Sequence, residues 1–237
     1  MTKETKRGYV LTDAKEFNDK NLELIKRAQE DIFMMIERGY PIKGVSTFVG
    51  NHHLLSERPR LAIMRATSLS KDIEKRENKL IKNNFKGKTI YIDGLNLIIT
   101  LEVALSESTV IKCMDGTIRD LAGLRGTYKL IDKTDMALHI IGEKLEEMKI
   151  GKVIFYLDSP VSNTGRLKMR ILELLTKYTY NVEVELVYNA DIILETKSYV
   201  VTSDAIILNK CESWINLAYD IVSEKLPKLK YIDLSMM

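Results

Sequence analysis

The most constraining feature of this sequence is a series of short runs rich in β-branched residues, each followed closely by an aspartate. The runs lie at residues 89–92, 152–157, 182–187 and 199–201. The aspartates that follow them are Asp93, Asp158, Asp191 and Asp204. Segments with helical patterns separate the runs. Strands that alternate with helices predict a largely parallel sheet, so we expect this part of the chain to be an α/β domain.

The part of the chain that precedes these runs predicts helices only. Its apolar residues recur at spacings near three and four, which is typical of amphipathic helices. We expect helical segments at residues 13–38, 42–49 and 56–80, with glycine and proline in the breaks. The last two segments flank a turn, and two interpretations are open. They form a helix-turn-helix, or they form a unit that supports the core or mediates homodimerisation.

A polar stretch at residues 82–88, which contains Gly87, separates the two patterns and is suited to a linker. We therefore predict a small all-helical N-terminal domain over residues 1–85. The α/β domain is predicted over residues 86–237.

The net charge of +3 is unevenly distributed. Residues 1–88 carry 19 Lys and Arg against 12 Asp and Glu, whereas residues 89–237 carry 17 against 21. A basic half beside an acidic half indicates a nucleic-acid partner, although two ordinary solvated faces explain it equally well. No apolar run reaches the roughly 18 residues of a membrane span, and the N-terminus is polar. We expect a cytoplasmic protein without a membrane segment.

The four aspartates predict a metal site. The carboxyl ends of parallel strands meet at one edge of a sheet, where open α/β proteins bind ligands. Carboxylates crowded together there would raise one another's pKa unless a cation lay between them. Oxygen ligands suit Mg²⁺ or Mn²⁺, which activate water and neutralise phosphate charge. Because an aspartate at a strand end is also a common turn or cap residue, the hypothesis requires that the four converge.

Further candidates lie near the aspartates. Asn96, three residues after Asp93, either supports the site or caps a helix. Glu102, two turns further along, either points back to the site or is exposed. A loop that begins at Ser159 contains Ser162 and Arg166, and it either binds phosphate through backbone N–H groups and the arginine or simply caps a helix.

A second loop, which contains Arg119 and Arg125 near two glycines, is either a flap that contacts the substrate or an ordinary exit from a hairpin. The hairpin itself is predicted by Asp115-Gly116 between two apolar runs.

The motif Asp93-Gly94-Leu95-Asn96, together with Asp158 and Ser203-Asp204, resembles PIN-like domains and in particular their NYN branch. The resemblance implies a three-layer α/β fold and metal-dependent cleavage of RNA or another nucleic acid. It also implies that Asp93, Asp158 and Asp204 are catalytic metal ligands, that Asn96 supports Asp93, and that Asp191 is a further ligand.

The chain departs from this pattern in two places. The hairpin around Asp115 looks like an insertion, and no second acid closely follows Asp204. The alternative is therefore a catalytically weak or inactive PIN-like module that binds nucleic acid or protein. A dinucleotide-binding site is disfavoured, since no Gly-x-Gly-x-x-Gly motif follows a strand.

The whole chain also resembles a family described as domain of unknown function 434. The resemblance rests on segments like Arg38-Gly39-Tyr40-Pro41 and Val49-Gly50-Asn51 in a helical part that precedes such an α/β domain.

Overall fold

The computed structural model describes residues 5–123 and 126–235, which form eleven helices and eight strands. The helices are α1 (Asp13–Glu16), α2 (Asp19–Glu37), α3 (Ile42–His52), α4 (Glu57–Ala66), α5 (Ser70–Lys79), α6 (Gly94–Leu105), α7 (Asp132–Glu147), α8 (Thr164–Leu175), α9 (Ala190–Leu194), α10 (Ala205–Lys210) and α11 (Leu217–Lys225). The strands are β1 (Thr89–Asp93), β2 (Val110–Lys112), β3 (Ile118–Asp120), β4 (Lys152–Asp158), β5 (Asn181–Val187), β6 (Val200–Val201), β7 (Trp214–Ile215) and β8 (Ile232–Asp233). None of the described helices is long and apolar enough to cross a membrane.

Five strands form a sheet in the order β5-β4-β1-β6-β7, and every neighbouring pair is parallel. Successive side chains of β4 alternate between its two faces, as the geometry of a strand requires. Phe155 packs in a core with α6, α7, α8 and α11, whereas Ile154 and Tyr156 pack in a second core with α9 and α10. The predicted α/β class with a mostly parallel sheet is therefore confirmed.

The remaining strands form a small sheet in the order β3-β2-β8. The predicted hairpin is present, because β2 and β3 are antiparallel and Asp115-Gly116 lies in the turn between them. Buried residues of this sheet, such as Ile111 and Leu234, share a core with Ile32 and Ile63 of the N-terminal helices (α1–α5). The N-terminal helices thus share a core with this sheet, and the domain boundary at residue 85 stays a prediction.

Three of the predicted elements differ in the structure. The helix predicted over residues 56–80 ends at Ala66, because the Ala66 carbonyl accepts a hydrogen bond from Met114 of the hairpin and α5 starts only at Ser70. The helix expected from Trp214 starts at Leu217, because Trp214 pairs with Val200 as an edge strand.

The third change concerns the first predicted helix, which covers residues 13–38. It is divided after Glu16, and Asn18 then caps α2 by accepting a hydrogen bond from the Asn21 N–H.

A buried ion network joins these parts. The carboxylate of Asp115 lies 2.5 Å from Arg76 of α5 and 2.7 Å from Arg119 of β3, and its side chain is fully buried. Burial acts to raise the pKa of Asp115, but Arg119, Thr117 and Arg76 more than offset this and hold the pKa below its ordinary value. Asp115 is therefore ionised, and it connects the N-terminal helices to the hairpin.

We expect Asp115→Asn to lower the free energy of unfolding by about 3 to 5 kcal/mol, because it leaves two buried arginines without their carboxylate. The matched control is Glu183→Gln, which removes the half-exposed partner of Lys152 and should cost less than about 1 kcal/mol. Urea unfolding followed by circular dichroism measures both changes. Equal losses in the two variants would contradict a special role for Asp115.

Candidate functional site at the carboxyl edge of the parallel sheet

A cleft of about 670 Å³ lies at the carboxyl edge of the parallel sheet. The chain builds β4 and β5 on one side of β1 and then places β6 and β7 on the other side. Such a switch point leaves a crevice beyond the strand ends, where α/β proteins bind ligands. The residues that line the cleft and bear on its chemistry are Met64, Arg65, Asp93, Asn96, Arg119, Asp120, Asp158, Asp191, Ser203, Asp204 and Ile206.

Asp93 occupies the centre of this edge as the last residue of β1 and the N-cap of α6. One carboxylate oxygen accepts a hydrogen bond of 2.9 Å from the Thr202 hydroxyl, and the other accepts a longer one of 3.4 Å from the Asn96 N–H. Burial raises the pKa of Asp93 to about 7. The two hydrogen bonds act against this shift, whereas Asp191 and Asp204 add to it.

Gly94 allows this tight entry from β1 into α6. A Cβ atom at this position would lie 2.6 Å from the Leu157 side chain and 3.1 Å from the Tyr156 carbonyl oxygen. The backbone carbonyl cannot move aside, so a side chain at position 94 would push α6 away from β4. The glycine of the Asp-Gly-x-Asn motif is thus required for packing.

Asn96 supports the site through a contact that the sequence did not predict. Its side-chain oxygen accepts hydrogen bonds from both the N–H and the hydroxyl of Ser203, each at 2.9 Å. Its own backbone N–H, and not its amide group, contacts Asp93. The Asn96 side chain therefore fixes the loop that follows β6, and this loop carries Asp204.

The other three predicted acids lie around Asp93. Burial raises the pKa of Asp191, and the nearby Asp204 and Asp158 raise it further. One oxygen of Asp158 accepts a hydrogen bond from the Ala190 N–H, and one oxygen of Asp204 caps α10. The four aspartates therefore share one cleft, as predicted. In the described part of the chain no group of three or more Asp, Glu, His or Cys side chains could hold a metal ion, so the metal site stays a prediction.

Two charged residues of the cleft were not predicted. Asp120, the last residue of β3, accepts hydrogen bonds from the Thr100 hydroxyl and the Ala122 N–H, and burial raises its pKa. Arg65 comes from the last turn of α4. Asp120 follows a strand as the other acids do, which is a usable signal, whereas nothing in the sequence places α4 against the cleft.

Arg119 lies in the cleft wall, but its guanidinium group is used within the protein. It donates to the carbonyl oxygens of Ser203 and Arg65 and to the Asp115 carboxylate. Arg125, its predicted companion, lies outside the described residues.

The predicted phosphate loop does not line the cleft. Its backbone N–H groups at Ser159 and Ser162 donate to the carbonyl oxygens of Val187 and Gly126, so they are occupied. Arg166 is exposed in the first turn of α8.

Glu102 neither points into the cleft nor faces solvent. Its side chain is fully buried and pairs with Arg7, Tyr128 and Thr134.

The fold and the cleft define a doubly wound α/β protein with an acidic site at the switch point of its sheet. Residues 82–220 match a family model described as a domain of unknown function, DUF5616, and the chain belongs to this family. Residues 24–79 match the model of a protein of unknown function, DUF434, which confirms the predicted resemblance over that range.

An uncharacterised protein of Methanocaldococcus jannaschii is 38% identical to the chain over 207 residues, which are 87% of this chain and 98% of the relative. No solved structure matches the chain.

The pKa of Asp93 predicts how stability depends on pH. Between about pH 4 and about pH 7 the folded protein keeps a proton that the unfolded chain has released, so the stability contributed by this group falls as the pH rises. We expect Asp93→Asn, measured in a chelator, to be more stable than the unsubstituted protein above about pH 7, by up to about 4 kcal/mol.

The two proteins should be similar in stability near about pH 3, where Asp93 is mostly protonated in both states. Urea unfolding at several pH values measures the difference, and the exposed Asp132→Asn substitution is the control. The idea fails if Asp93→Asn follows the same pH dependence as the unsubstituted protein.

Proposed function

We propose that this protein is a PIN-like, metal-dependent nuclease that hydrolyses phosphodiester bonds of RNA or another nucleic acid. One observation carries the proposal. Four aspartates that end or follow four parallel strands line a single cleft, where burial raises the pKa of Asp93 and the nearby Asp191 and Asp204 add to the shift. Carboxylates that disfavour one another's ionisation are best accommodated by a bound cation.

The arrangement of the sheet supports the PIN-like interpretation. The Asp-Gly-x-Asn motif lies at the end of β1, the central strand of a parallel sheet with helices on both faces. This is the three-layer arrangement that the resemblance implies. The later acids of the pattern, Asp158 and Asp204, also follow strands of this sheet.

The donor set fits Mg²⁺ or Mn²⁺ in its chemistry. A cage of three acids is not required, since Mg²⁺ usually takes one or two carboxylates and completes its shell with water and substrate phosphate. Asp93 and Asp204 would hold the ion, and Asp191, with Asp158 next to it, would lie beside them. When bound, the ion supplies a polarised water and positive charge beside the phosphate.

The residues of this chain hold and orient these acids. Thr202 and the backbone of Asn96 donate to Asp93, while the Asn96 side chain fixes Ser203. A bound cation would favour the ionised form of Asp93, so these donors would then hold a carboxylate.

A binding module is the second candidate. It is favoured by the lack of a ready three-acid ligand set in the described residues and by the capping role of Asp204. Isothermal titration with Mn²⁺ separates the two candidates. A nuclease should bind the ion, whereas a protein that binds RNA but no detectable Mn²⁺ is a module without this catalysis.

We expect Asp93→Asn and Asp204→Asn each to reduce Mn²⁺-dependent cleavage of a single-stranded RNA by about 100-fold or more, because each removes a carboxylate from the ion. The exposed Asp132→Asn substitution should leave the rate unchanged. Gel analysis of an end-labelled RNA and of a DNA with the same sequence measures the rates. The proposal is contradicted if the Asp93→Asn variant, with an intact fold by circular dichroism, cleaves RNA at the rate of the unsubstituted protein.

A further inference from the structure

Two arginines line the otherwise acidic cleft within the described residues, and they differ in what their guanidinium groups contact. The three nitrogens of Arg119 donate to Ser203, Arg65 and Asp115, and its side chain is 11% exposed. Arg65 donates one hydrogen bond, from Nη1 to the Asp120 carbonyl oxygen, and its side chain is 36% exposed. Its Nε and Nη2 have no hydrogen-bond partner among residues 5–123 and 126–235.

The backbone of Arg65 is firmly held. The Arg65 carbonyl oxygen accepts a hydrogen bond from Nη1 of Arg119, and the next carbonyl, that of Ala66, accepts one from the Met114 N–H. The end of α4 is therefore fixed to the hairpin. The point from which the Arg65 side chain reaches the cleft is thus set by the fold.

The aspartates make the cleft negatively charged, so a polyanionic ligand could bind there only if a positively charged group also faced it. Five aspartates line the cleft, and the guanidinium group of Arg119 already donates to groups within the protein. A guanidinium group with two open N–H positions matches the oxygens of a phosphate, and arginine is well suited to this role. Asp120 competes for Arg65, but the closest distance between Arg65 Nη1 and an Asp120 carboxylate oxygen is 3.7 Å, which is longer than a direct hydrogen bond.

We propose that Arg65 is a phosphate-binding residue of this cleft, which contacts the backbone of a single-stranded nucleic acid whose scissile bond lies over the aspartates. The inference rests on the proposed function and deepens it. It assigns part of the substrate site to the N-terminal helices, so neither the helices nor the parallel sheet would form the site alone.

The test measures binding separately from cleavage. Fluorescence anisotropy of a labelled single-stranded RNA, in buffer with Ca²⁺ and with the RNA checked to be intact, gives the association constant at several KCl concentrations. Each phosphate contact to a single strand contributes about 0.7 to the slope of log K against log salt. We expect Arg65→Gln to lower this slope by about 0.7 and to weaken binding about tenfold at low salt.

Two variants serve as controls. Arg65→Lys keeps the charge and should keep the slope, whereas Lys228→Gln removes an exposed charge outside the cleft and should change neither quantity. Thermal unfolding of each variant is measured in parallel.

The outcomes separate the inference from the proposed function. An unchanged slope in Arg65→Gln, while the unsubstituted protein binds and cleaves RNA, overturns the inference and leaves the nuclease standing. A lower melting temperature with an unchanged slope also overturns it, because Arg65 then only compensates Asp120. If the unsubstituted protein neither binds nor cleaves RNA, the proposed function fails and this inference fails with it.

Discussion

The structure around the cleft depends on the buried carboxylate of Asp115. It is paired with both Arg76 and Arg119, so one negative and two positive charges are removed from water together and the two guanidinium groups share the carboxylate. The consequences extend to the site. Arg119 also donates to the Ser203 carbonyl oxygen, next to Asp204, and Arg76 donates to Asn209 at the end of α10. Because a half-satisfied buried network costs more than none, the loop after β6 is held in one arrangement.

The loop after β6, held in this way, lies beside Asp93, a carboxyl group whose ionisation is unfavourable at the centre of the cleft. Asp93 is buried at the end of β1, and its neighbours Asp191 and Asp204 disfavour its ionisation further. The Thr202 hydroxyl, from the same loop, compensates only in part. A buried carboxyl group of this kind lowers the stability of the protein at neutral pH, and groups with such strongly shifted pKa values are concentrated at functional sites.

The fold could be predicted from the sequence wherever local pattern and tertiary context agree. The runs that become β1 and β4 are apolar because the middle of a parallel sheet is covered on both faces, whereas the edge strand β5 alternates valine with glutamate, and both patterns leave a clear signal. Trp214 gave no such signal. The strand that contains Trp214 is only two residues long. Trp214 is held there because it pairs with Val200 and because its indole N–H donates a hydrogen bond to the Arg76 carbonyl oxygen.

The site could be predicted only as far as it follows from strand ends. Asp93, Asp158, Asp191 and Asp204 each come after a strand, so a parallel sheet brings them to one edge. The sequence does not show what their neighbours do. Asn96 sits where a helix cap or a support for Asp93 is expected, and yet its amide oxygen contacts a loop more than 100 residues away.

The two family matches lie on different sides of the cleft. The acids fall within residues 82–220, whereas Met64 and Arg65 fall within residues 24–79. The contacts between the two segments are buried. They include the ion pair of Arg76 with Asp115 and the core that the N-terminal helices share with the small sheet. The relative from Methanocaldococcus jannaschii matches the chain over 207 residues and thus also extends across both segments. A cleft whose walls come from both segments gives a physical reason for them to occur in one chain, because separating them would open the acidic edge of the sheet and remove Arg76 from the Asp115 carboxylate.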